Sequence, residues 1–146
     1  MENNQSHIES EFEVKAFISD LKYAINNGAT IEFQIRRNVD DNRDQHYTNQ
    51  YTVSTLFPNE NPIDALRREL LLLTEENYIK SVKDLRFPNR GDMREFGKVY
   101  NNDQDVYIKV RVELLGQMGA GKTFVMSFHF AEKNFTSNMF PYKKDR

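Results

Sequence analysis

The sequence predicts an α+β fold in one domain: an N-terminal helix, a β-hairpin, two helices, then an antiparallel meander of about three strands with helices on one face. Three observations carry this. Residues 8–26 repeat apolar side chains at helical spacing, apolar residues recur every three or four positions after Pro62, and residues 106–114 and 123–130 alternate apolar and polar side chains.

Each element has its own signal. Ile8, Phe12, Phe17, Ile18, Leu21, Ala24 and Ile25 form the first helical stripe, and Asn26-Asn27-Gly28 stops it. Ile31, Phe33 and Ile35 alternate with Glu32, Gln34 and Arg36 as a half-buried strand. The polar run from Asn38 to Asp44 leads to a second alternating segment, Tyr47 to Phe57, and the two strands are expected to pair as a hairpin over residues 30–57. Asp40, Asp41 and Asp44 lack the glycine and closing glutamate of a calcium loop. Asn61 before Pro62 reads as a helix cap, and Ile63, Leu66, Leu70 and Leu73 make a core stripe. Thr74-Glu-Glu-Asn77 caps a short helix expected to contain Tyr78, Ile79 and Lys80. A loop with Pro88, Asn89 and Gly91 precedes a strand from Met93 to Tyr100 and the two strongest strands. Residues 134–146 carry Phe135, Phe140 and Tyr142, suited to docking on the sheet, while residues 1–7 and 143–146 are expected to fray.

Composition narrows the setting. A chain of 146 residues can bury about two thirds of its unfolded surface. It has no Cys, so it makes no disulfide, which fits a reducing compartment. No segment approaches a membrane span, and a cytoplasmic, soluble protein is expected. The net charge of −2 does not mark a nucleic-acid binder as a whole, but Lys80 to Arg111 holds eight basic residues against five acidic ones. His7 and His46 lack metal-ligand companions, so neither metal nor cofactor is expected.

Gly116 to Thr123, GQMGAGKT, matches the phosphate-binding pattern G-x-x-x-x-G-K-[ST]. That loop works only between a strand and a helix, where backbone N–H groups converge on phosphates. Here both flanks alternate at period two. The glycines therefore read as a hairpin tip, and ATP or GTP is not the expected ligand.

The same hairpin gathers the chemistry. Tyr107, Lys109 and Arg111 fall opposite the stripe of Val106, Ile108, Val110, Val112 and Leu114; Val125, Ser127 and His129 fall opposite Phe124, Met126, Phe128 and Phe130. With the turn centred near Met118, Tyr107 faces His129, Lys109 faces Ser127 and Arg111 faces Val125. An imidazole beside a phenol, an ammonium and a guanidinium on an open sheet face suits phosphodiester cleavage.

The segments Leu73-Thr-Glu-Glu-Asn-Tyr-Ile-Lys-Ser81, Phe96-Gly-Lys98, Val106-Tyr-Ile-Lys109 and Val125-Met-Ser-Phe-His129 resemble the MqsR-type toxin family over residues 62–133. The resemblance implies a RelE-like fold and a toxin of a toxin–antitoxin pair acting as a metal-independent endoribonuclease on mRNA. By motif position, Lys80 matches a catalytic lysine and Tyr107 the active-site tyrosine; His129 stands where a lysine is usual, and a further polar active-site position falls at Arg94 or Glu95. Lys83, Arg86, Arg90, Lys109 and Arg111 are the expected RNA contacts, and a protein antitoxin is an implied partner. The chain has no Trp where the family has one, and residues 30–57 have no family counterpart. It also resembles small proteins carried on mobile elements of Gram-positive bacteria. A second class therefore stands beside the first: a non-enzymatic protein that binds and inhibits a host or phage complex, such as a CRISPR or other defence nuclease, through loops 38–50 and 115–122.

Overall fold

A computed structural model describes residues 6–85, 91–113 and 121–144, the side chains of 38 and 39 excepted. Among these, β1 (Ser6–His7), α1 (Glu11–Asn26), β2 (Thr30–Phe33), α2 (Asn49–Leu56), α3 (Pro62–Leu70), β3 (Tyr78–Val82), β4 (Met93–Tyr100), β5 (Gln104–Glu113) and β6 (Lys122–Phe130) follow in chain order. The α+β architecture is as expected. The strands form one sheet in the order β1-β3-β4-β5-β6-β2, antiparallel except that β2 runs parallel to β6.

Local chemistry explains the boundaries. Ser10 caps α1 by accepting from Glu13 N while Glu13 Oε1 accepts from Ser10 N. Gly28, at φ 87°, turns the chain out of the helix. α1 buries Val14, Phe17, Ile18, Leu21, Ala24 and Ile25, but Ile8 and Phe12, expected in the stripe, are exposed. Asn61 Oδ1 accepts from Ile63 and Asp64 to start α3 ahead of Pro62, as its cap signal predicts. The helices pack against Tyr78, Phe96, Val106, Ile108, Val110, Phe128 and Phe130 on one face of the sheet.

Two expected elements differ. The hairpin over 30–57 does not form: β2 pairs with Lys122–Val125, and residues 49–56 are helical. Thr48 caps that helix by accepting from Tyr51 N, and Asn49, Thr52 and Val53 bury at helical spacing. The connection from Asn38 to Tyr47 contains two short 3₁₀ turns. The helix expected after Thr74 is one 3₁₀ turn, Glu75–Asn77, and Tyr78, Ile79 and Lys80 belong to β3.

β2 covers β6 only as far as Val125, and beyond it α2 substitutes for a strand. Asn49 Nδ2 donates to Met126 O at 2.9 Å and to Gln34 O at 2.6 Å, while Asn49 Oδ1 accepts from Phe128 N at 2.9 Å. Thr52 Oγ1 accepts from Phe130 N at 2.8 Å. Side chains thus satisfy an edge that would otherwise recruit other strands. Past β6, Phe135 and Phe140 lie over Gly97, where an added Cβ would meet Phe135 Cε2 at 2.6 Å. Tyr142 then stacks on Tyr78 and donates to the Glu9 carbonyl. Among the described residues no helix is long and apolar enough to cross a membrane.

Candidate functional site

β5 alternates as its sequence dictates, burying Val106, Ile108 and Val110 under the helices and sending Tyr107, Lys109 and Arg111 to the other face. Tyr107 pairs with His129 and Lys109 with Ser127, as expected. The register then shifts between Lys109 and Val110, so Arg111 pairs with Phe124 and not with Val125. This bulge accommodates one extra residue in β6 and reverses the expected facing of what precedes it. Val125 joins the main core, while Phe124 and Met126 leave it to cluster with Met93.

His129 is only 8 % exposed, so the expected open face is covered here. Its Nδ1 lies 3.0 Å from Phe130 O. A carbonyl only accepts, so in the neutral ring Nδ1 carries the proton and Nε2 keeps its lone pair. Burial pushes the imidazole pKa down; the Phe130 hydrogen bond opposes this, and the charges of Arg43 and Arg37 lower it further. The Tyr107 ring stands 5.4 Å away, tilted by 42°. Burial, the Glu95 charge and hydrogen bonding to Glu95 push the phenol pKa up, so Tyr107 holds its proton at neutral pH. Burial also lowers Lys109, with Glu95 at 3.8 Å opposing that shift.

Cross-strand partners extend this face. Lys80 lies opposite Glu95, Glu95 opposite Lys109, and Lys109 opposite Ser127, a row across four strands. Arg37 Nη1 donates to Ser127 Oγ at 3.3 Å. Arg37 and Arg43 are the residues the sequence reading missed; the adjacent Arg36 and Arg37 before an acidic turn was the available signal. Lys83 is exposed beside the row. Arg86 and Arg90 lie outside the described residues, as do residues 116–120 of the glycine run.

Arg94 does not join the set. It neighbours Glu95 in β4 and therefore emerges on the helix face. There its Nε and Nη2 donate to the two Glu9 carboxylate oxygens at 2.8 and 3.0 Å, and its guanidinium lies 4.6 Å from the Phe17 ring centroid. Ser81 donates to the same carboxylate at 2.5 Å. Burial alone would raise the Glu9 pKa, but the bonds from Arg94 and Ser81 and the Arg94 charge outweigh it. Arg111 is equally committed, 2 % exposed with Asp84 at 3.0 Å and Glu113 at 2.9 Å. It is a structural cation, not a free RNA contact. Lys122 and Thr123 begin β6, and Lys122 pairs with Glu32 at 3.1 Å. The Gly-Lys-Thr run therefore leads into a strand, as its alternation predicts, without the helix a phosphate loop needs.

Among the described residues no group of three or more His, Asp or Glu side chains is placed to hold a metal ion. No family model, curated protein or solved structure matches the chain.

Proposed function

We propose that the chain is a RelE/MqsR-like domain that binds RNA on the Tyr107–His129 face and cleaves it by attack of the ribose 2′-OH. The observation that carries the reading is His129: an imidazole with Nδ1–H tied to a carbonyl, which leaves the lone pair on Nε2, with a phenol ring beside it and two arginines in its field. Nε2 takes the 2′-OH proton as O2′ bonds to phosphorus. The P–O5′ bond breaks, and O5′ leaves with a proton from Lys109. The products are a 2′,3′-cyclic phosphate and a 5′-OH. Tyr107 turns its one O–H from Glu95 to a non-bridging oxygen, and the arginine charges offset the added negative charge. Lys80 supports Lys109 through their shared neighbour Glu95.

Labelled single-stranded RNA tests this. Cleavage should produce cyclic phosphate ends, stop on 2′-deoxy substitution, and fall by about 10²–10⁴ in His129→Ala. Cleavage unchanged in the His129→Ala/Tyr107→Phe pair would end the assignment.

One observation favours the second reading, a non-enzymatic inhibitor of a host or phage complex: Arg94, Arg111 and Lys109 already face carboxylates of this chain. Under that reading purified chain leaves RNA intact and forms a stoichiometric complex with a defence nuclease. Intact RNA with no such complex counts against both.

A further inference from the structure

Beside the Tyr107–His129 pair the same face opens into a cleft of about 290 Å³ lined from β3, β4, β5 and β6, the residues after β3 and the segment after β2. Arg37, Lys83 and Lys109 bring positive charge to its lining, Arg37 while donating to Ser127 and Lys109 while facing Glu95 at 3.8 Å. Asp84, the carboxylate in its lining, is bound to Arg111. The floor is different in kind. Met93 and Met126 are 1 % and 6 % exposed and form, with Phe124, an apolar cluster separate from the main core. Leu85 stands at the rim with 56 % of its surface in water. The bulge in β6 creates this arrangement, since an unbroken alternation would send Met126 to the helix side.

A small apolar floor under a cationic rim matches a flat, apolar-faced ligand that carries negative charge. The volume is at the low end of ligand sites, roughly 300–1,000 Å³, which limits the occupant to one small unit. Thioethers are polarisable and pack well against aromatic rings. We propose that this cleft is a subsite for one unstacked base of single-stranded RNA, with its phosphate on Lys83, Lys109 and Arg37; the inference rests on the RNA reading above. Lys109 is two residues from Tyr107 along β5, about 7 Å. A base seated over Met93 and Met126 therefore brings the adjoining phosphodiester toward His129. Single-stranded RNA is read in this way, by splayed bases on side-chain platforms beside a basic track. A paired base cannot enter.

The test is fluorescence anisotropy of the full chain with 2′-O-methyl oligonucleotides, which cannot be cleaved by 2′-OH attack, as single strands and as duplexes. Leu85→Ser removes a rim contact without changing charge, and Lys83→Glu reverses a rim charge; both residues are exposed, so melting should not change. We expect single strands to bind in preference to duplex, and each variant to weaken single-strand binding roughly tenfold. Equal binding by wild type and both variants overturns the subsite and leaves the RNA reading standing. Equal affinity for duplex, or equally strong competition by inorganic polyphosphate, also overturns it, because neither needs a base in the cleft. No binding of any RNA by folded wild type removes the RNA reading, and the subsite with it.

Discussion

Replacing Asn49 with alanine should test how α2 seals the sheet. The side chain is fully buried and serves three backbone groups. Alanine leaves the Phe128 amide without its acceptor and Met126 O without its donor, in a place water does not reach. Each buried orphan costs about 1–3 kcal/mol, so the loss should be near 4 kcal/mol. At about 3 °C per kcal/mol for a domain of this size, Tm should fall by roughly 12 °C. Asn49→Asp should be at least as damaging, since it turns a donor shared by two carbonyls into an acceptor and buries a charge. Chemical denaturation measures the free energy, and amide exchange should accelerate first at Phe128 and Phe130, the residues on either side of His129. A loss under about 1 kcal/mol, or unchanged exchange there, would refute the view that this amide replaces a strand.

Three further outcomes follow from the same geometry. His129 has a folded pKa below its ordinary value of about 6.5, so the unfolded chain binds its proton first: stability should fall as pH drops through 6.5 and level off below the folded pKa, and His129→Gln should remove that component of the melting curve. Arg94→Ala should cost about 3 kcal/mol by stranding Glu9 and, under the proposed function, leave cleavage intact once the protein is kept below its melting point; cleavage by wild type that is lost in the variant at native stability would return Arg94 to the chemistry. Gly97→Ala drives a methyl into Phe135 and Phe140 and should cost about 1–3 kcal/mol, with faster proteolysis near Lys143; a tail as protected as wild type would show that the rings yield without cost.

The sequence made the helix stripes and strong strands legible because their apolar residues repeat at the period of the element. The Tyr107–His129 pairing was legible for the same reason, since a hairpin with matched apolar faces has few registers. The bulge was not, because an extra Met at position 126 is as apolar as the core residue it displaces. α2 was missed because its buried positions, Asn49 and Thr52, are polar: their signal is hydrogen bonding to β6, which leaves no hydrophobic period. Thr, Val and Tyr in that segment also favour strands. Arg94 was misplaced because a motif aligned by spacing does not reveal its face, whereas its neighbour Glu95, pairing with Lys109, does. The cover over His129 comes from residues distant in sequence.

The parallel pairing of β2 with β6 also sets a timetable. Thr30 finds Lys122 about 90 residues later, so a chain leaving the ribosome carries β2 for roughly 5–20 s before its neighbour exists. α2 waits as long for the amides it serves, and the imidazole arrives with the last strand. A nascent or prematurely ended chain therefore holds no assembled Tyr107–His129 pair, which comes together only when synthesis of the described sheet is complete.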